Sequence, residues 1–208
     1  MQATFYYVHD PMCSWCWGFE KLRRQLFDAV SDSMNIERLL GGLAPDSNQP
    51  MPQAMQQMLQ QTWARINEVT GASFNFDFWR DCHPRRSTYP SNRAVIAARE
   101  QGESFDSAMT TRIQRAYYQE ARNPSDDDTL IALAEDIGLD VERFSLSLNA
   151  QDTQAALEAE IERARSMGVE GFPSLVVVVQ GRFRPIRVHY TDLDAILREI
   201  EAAEKSLN

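Results

Sequence analysis

Strand-like sequence stands only at the two ends of this 208-residue chain, so any sheet it forms must be assembled across a long helical interval. At the N-terminal end, ATFYYVHD is dense in β-branched and aromatic residues, the composition of a strand covered on both faces, as in a parallel sheet. Asp10-Pro11 ends it. Phe19, Leu22, Leu26 and Val30 then recur three and four apart, which predicts a helix, and IERLLGGL, closed by Gly41-Gly42, reads as a second strand. Near the other end, SLVVVVQG and RFRPIRV read as neighbouring strands. Proline cannot donate to a ladder, so Pro185 confines the second of them to a sheet edge. The segment YTDLDAILREIEAAEKSLN closes the chain as a helix, with a capping-box-like start at Thr191 and Asp194 and a stripe of Leu193, Ile196, Leu197 and Ile200.

Between Pro45 and Met167 no segment reads as a strand, and five helical patterns recur, beginning with PQAMQQMLQQTWARINEV. Gly71, Gly102, Gly138 and Gly168 stop four of them and Asn123-Pro124 the fifth. The plan is βαβ, a helical insert, then ββα. It gives an α/β protein in which residues 1–44 and 168–208 form one discontinuous domain and residues 45–167 an inserted all-helical one. The Met51, Met55, Met58 and Leu59 stripe has helical spacing, which favours core packing over an apolar binding groove.

The net charge of -9 repels phosphate backbones and anionic lipid, and no basic run longer than a short pair such as Arg85 and Arg86 offsets it, so neither nucleic acid nor a membrane is expected as a partner. No stretch approaches the roughly 20 apolar residues of a membrane span, and the first residues lack a secretory signal pattern. The expected location is the cytoplasm. In that reducing setting three cysteines do not make a disulfide framework, yet two of them stand three apart in DPMCSWCWGF.

Cys13 and Cys16 admit three readings. A structural zinc needs four ligands, and the remaining candidates are the adjacent Cys82 and His83 and the isolated His9 and His189, which do not form a second clasp; no metal and no cofactor is expected. Two small buried hydrophobes are the second reading, weakened by their place in the first turn after a strand. The third is redox chemistry. Unpaired N–H groups and the macrodipole at a helix N-terminus favour the thiolate of Cys13 over its thiol. Cys16, one helical turn on, is placed to attack a mixed disulfide formed there. Gly171-Phe172-Pro173, directly before the SLVVVV strand, adds a candidate cis peptide bond.

With CSWCWGF followed later by GVEGFPSLVV, the chain resembles the thioredoxin fold with the helical insertion of the DsbA-like family. Within that family it is most similar to the cytoplasmic branch of predicted protein disulfide isomerases that includes the FrnE-type proteins. The resemblance implies a thiol–disulfide oxidoreductase or protein disulfide isomerase with Cys13 as exposed nucleophile and Cys16 as buried partner. It makes Pro173 the cis-proline of a loop, with Phe172, that offers backbone groups to a bound peptide. Ser14 and Trp15 lie between the cysteines where other family members carry different pairs, and are expected to contact substrate. Protein thiols and disulfides are the implied partners, with glutathione a further one. Without a secretory signal, reduction or isomerisation is favoured over oxidation.

Two alternatives stand beside this. Kappa-class glutathione transferases and hydroxychromene carboxylate isomerases share the architecture and use a serine near the first cysteine position, a part Ser14 would play. A non-catalytic peptide-binding or chaperone module is the other. His9 offers electrostatic assistance to Cys13, with ordinary hydrogen bonding as its default use, and Trp17 is expected in the core. Asn92 and Arg93 read as helix-capping residues with an anion site as the alternative, and Asp126 to Asp128 as a helix N-terminal charge cluster. Cys82 is expected unpaired and partly buried, at the end of a short helical segment.

Overall fold

The structure, a computed structural model, describes residues 3–207. Its sheet has the order β2-β1-β3-β4, built from β1 (Thr4–His9), β2 (Asn35–Leu40), β3 (Ser174–Val179) and β4 (Arg182–Ile186). Parallel pairing joins β1 to β2, while β3 runs antiparallel to both β1 and β4. The two central strands are the β-branched and aromatic runs, and both of their faces are covered, as that composition requires. Phe5, Tyr7, Leu175 and Val177 pack against Phe19 and Leu26 of α1 (Ser14–Val30) and Ile196 and Ile200 of α9 (Leu193–Leu207). Tyr6, Val8 and Val176 on the opposite face meet Ala164 of α8 (Gln151–Ser166) and Met167. Pro185 lies on the edge strand β4, opposite Val176.

Seven helices, α2 to α8, separate β2 from β3: α2 (Gln53–Thr70), α3 (Phe78–Asp81), α4 (Tyr89–Arg99), α5 (Ser104–Gln119), α6 (Asp127–Asp136), α7 (Val141–Leu148) and α8. α4 runs through their middle, with Ala94, Ala97 and Ala98 fully buried among Met109, Ile113 and Phe144. Its small side chains let the surrounding helices approach. A second cluster, where Trp63 meets Phe78, Tyr117 and Tyr118, also includes Met12, the residue before the first cysteine. No helix among the described residues is long and apolar enough to cross a membrane.

Three local readings are corrected. The terminal helix is capped by Asp192, whose Oδ1 accepts the Ala195 N–H at 2.9 Å, and not by Thr191, because the helix starts at Leu193. The methionine stripe is core only at Met51, which is buried just before α2: within the helix only Trp63 and Ile66 are buried, Met55 and Leu59 are half-buried, and Met58 is 52% exposed. α7 has no counterpart among the sequence patterns. Leu146, 75% exposed, blurs its stripe, although Asp140 caps it through the Arg143 N–H at 3.0 Å and Val141, Phe144 and Leu148 keep helical spacing.

Candidate active site

The sheet register brings two distant segments together. Val8 of β1 pairs with Ser174 of β3, so the chain leaving β1 lies beside the chain entering β3. The first carries Cys13 and the second carries Phe172 and Pro173, joined by a cis peptide bond. Cys13 is the N-cap of α1, with extended backbone, and its N–H bonds the Asp10 carbonyl at 3.0 Å. Its Sγ accepts the Cys16 N–H at 3.4 Å, and the thiol donates to the Phe172 carbonyl at 3.3 Å. No acidic side chain occupies the first turn of the helix. The sulfur therefore sits where a helix presents unpaired N–H groups and the positive end of its dipole.

The two thiols differ in setting. Cys16 is completely buried, and burial followed by its hydrogen bond to Cys13 and the charge there pushes its pKa well up, against a backbone bond from Asp10; it stays a thiol. Cys13 is 7% exposed, which corrects the expectation of an open nucleophile: the Phe172 carbonyl meets its sulfur, and Trp15 leans on Tyr190 at 4.6 Å nearby. Burial and both sulfurs push the Tyr190 hydroxyl up, so it remains neutral beside them. Ser14 is the first residue of α1, half-buried, and its hydroxyl makes no hydrogen bond among the described residues. All three cysteines are unpaired.

Phe172 is seated by a glycine. A Cβ on Gly41 would stand 1.9 Å from the Phe172 ring, so only glycine there lets the ring lie over the end of β2. Beside the ring a cavity of about 390 Å³ opens, lined by Gly42, Leu43, Ile161 and Val169.

Asp10 was not singled out from the sequence, yet it organises this region. Fully buried, its carboxylate accepts four hydrogen bonds: Met12 N–H on Oδ1 at 2.8 Å, and on Oδ2 Leu43 N–H at 2.8 Å, Thr88 Oγ1 at 2.7 Å and Asn92 Nδ2 at 2.8 Å. Burial pushes its pKa up and the four donors pull it back. Tyr118 fixes the same turn from α5 by donating to the Met12 carbonyl at 2.7 Å. Asn92 is thus inside α4 and not a cap. Arg93 is likewise internal, paired with Asp46 at 2.7 Å and bonded to the Leu148 carbonyl at 3.2 Å.

The remaining readings divide. His9 stacks on Tyr7 at 4.8 Å, and neither ring nitrogen has a partner among the described residues. Burial, then Arg38, Arg23 and Arg99, holds its pKa well down, so it carries no positive charge toward Cys13. Trp17 is half-buried, stacked on Tyr118, with Nε1 donating to the Ser73 carbonyl at 3.0 Å. Asp126 is the N-cap position of α6, with Asp127 and Asp128 in its first turn, and Arg85 pairs with Asp126 at 2.7 Å. Cys82 ends α3 and donates to the Ala121 carbonyl at 3.0 Å. Among the described residues no group of three or more His, Cys, Asp or Glu could hold a metal ion.

The sequence matches the family model described as Thioredoxin over residues 5–183. Among curated proteins it is 25% identical over 171 residues to the ClpXP adapter protein SpxH of Halalkalibacterium halodurans, covering 80% of this chain and 56% of that protein. The chain thus spans a little over half the length of the curated relatives it matches. Among solved structures, a candidate protein disulfide isomerase from Nitrosomonas europaea superposes with a TM-score of 0.85 at 24% identity, covering 100% of both chains. The cytosolic disulfide reductase DsbM from Pseudomonas aeruginosa does so with 0.77 at 24% identity over 98% of both, and has also been solved with GSH. These likenesses establish the fold expected from the sequence, a thioredoxin fold with a DsbA-like helical insertion.

Proposed function

The chain belongs to the thioredoxin family, and on that premise we propose that it is a thiol–disulfide oxidoreductase of the cytoplasm, acting as a reductase or isomerase through Cys13 and Cys16. One observation carries this: the Cys13 sulfur caps α1, receives the Cys16 N–H, and faces the backbone carbonyl of Phe172 beside Pro173. Cys13 as thiolate attacks one sulfur of a substrate disulfide; that S–S bond breaks and the leaving sulfur takes a proton. Cys16, kept a thiol until then by its burial, attacks the Cys13 sulfur; the mixed disulfide breaks, and the Cys16 proton passes to the departing sulfur, which leaves as the second substrate thiol. The product is a Cys13–Cys16 disulfide, with two electrons passed to the substrate. Glutathione or another thiol resets the pair, a role supported by the GSH-bound DsbM neighbour. The backbone of Phe172 and Pro173, with Trp15 and Ser14, receives the peptide, and residues 45–167 act as the unit that covers it.

A glutathione transferase using Ser14 is disfavoured because the N-cap position belongs to Cys13 and Ser14 already lies within the helix. A second reading, a protein adapter, is favoured by the SpxH relatives and needs neither sulfur to react. The test is turnover of an unfolded, disulfide-bonded protein with glutathione as reductant. Catalysed exchange supports the oxidoreductase; unchanged background rates favour the adapter. Cys82→Ala is expected to turn over within about twofold of wild type, since burial, Asp126 and Asp81 push the Cys82 pKa up and its thiol is engaged by Ala121. A larger loss would bring a third sulfur into the reaction.

A further inference from the structure

We propose that Asp10 is a positioning residue for the dithiol, through which the helical insert holds the turn that carries Cys13. The proposal rests on the oxidoreductase reading. A turn of this kind needs one acceptor: Oδ1 of Asp10 takes the Met12 N–H and closes it. The other oxygen does something the turn does not require. It gathers three donors from elsewhere, the Leu43 N–H just after β2 and the Thr88 and Asn92 side chains of the α4 start, some 80 residues away in sequence. Burying a carboxylate is unfavourable unless donors surround it, so these partners and the charge stabilise one another. Three elements are thereby fixed to one side chain, three residues before the nucleophile. The Cys13 N–H is in turn bonded to the Asp10 carbonyl, so a displaced Asp10 displaces the N-cap and the sulfur with it. A helix of the insert is tied to the sulfur's position without touching it.

Oδ2 of the same carboxylate is saturated by its three donors, and Oδ1 is turned to the Met12 N–H of its own turn. Its contribution is geometric, and small misplacements of a reacting atom are costly in rate. In a Cys16→Ser, Cys82→Ser parent, Cys13 is left to react with a small aromatic disulfide, a probe that needs no peptide binding. Asp10→Asn keeps the shape but presents an amide nitrogen to donors, and is expected to slow that reaction about tenfold or more per folded molecule. Thr88→Val and Asn92→Ala, which leave Asp10 in place, are expected to slow it about threefold or more. With the dithiol intact and a peptide disulfide as substrate, Asp10→Asn is expected to lower kcat about tenfold with KM within about twofold. Rates within about twofold of the parent in the folded variants, accompanied only by a lower Tm, would overturn the proposal and leave a structural turn. If Asp10→Asn does not fold, the two insert variants decide by the same criterion. A parent that does not react at Cys13 would instead overturn the oxidoreductase reading, and this proposal with it.

Discussion

Cys13→Ser is expected to abolish thiol–disulfide exchange, a fall of roughly a thousandfold or more, with the circular dichroism spectrum unchanged. A serine hydroxyl at the N-cap of α1 would still accept the Cys16 N–H and satisfy the helix end, so the fold keeps its cap. It cannot supply a thiolate near neutral pH, and with Cys16 completely buried no second sulfur can take its place. Ser14→Ala, in the same experiment, removes a peptide contact but no reacting atom, and is expected to cost about threefold or less, mostly in KM. The opposite pattern, loss with Ser14→Ala and retention with Cys13→Ser, would assign the chemistry to the hydroxyl.

Gly41→Ala is expected to be the most damaging single methyl in the region. Its Cβ would stand 1.9, 2.1 and 2.7 Å from three ring carbons of Phe172, far inside contact, so the ring must leave its seat. Overpacking of this kind costs about 1–3 kcal/mol of stability. Because the carbonyl of the same residue meets the Cys13 sulfur, exchange should fall with it, by about tenfold in kcat/KM or ~1.4 kcal/mol. Gly171→Ala is the control within the same loop: its added Cβ has no atom within 4 Å, and a change of about 0.5 kcal/mol or less is expected. Denaturant unfolding and steady-state kinetics on the two variants separate them. Equal, small effects would mean that the Phe172 seat matters neither for the fold nor for the sulfur.

The sheet was legible because its strands announce themselves by composition. ATFYYVHD fits a strand covered on both faces, SLVVVV is the most β-branched run of the chain, and Pro185 belongs at an edge, which is where the sheet order places them. The pairing of β1 with β3 is a tertiary fact, but the two motifs at their ends, CSWC and GFP, pointed to it by resemblance. Burial of long-range polar contacts was not legible. Asn92 looks like a cap from its neighbours in sequence, whereas its amide, besides the local Thr88 carbonyl, donates to Asp10, 82 positions away. Asp10 itself looks like the ordinary acidic residue of a turn. The recess of Cys13 was hidden for the same reason, since the carbonyl that meets its sulfur belongs to Phe172, in a loop 159 positions distant. His9 departs from both of its readings: its default hydrogen bond is missing among the described residues, and stacking on Tyr7 in a buried site leaves it neutral and unable to assist the sulfur by charge.

The mechanism stands on the division of labour between the two sulfurs, and trapping separates their roles. In Cys16→Ser the nucleophile remains while the resolving thiol is gone, so mixed disulfides on Cys13 should accumulate when the protein is exposed to cell extract. Mass spectrometry of the adducts is predicted to find proteins and peptides joined to Cys13, with glutathione among them, and Cys13→Ser is predicted to trap nothing. Equal trapping by the two variants, or none by either, would contradict the dithiol mechanism.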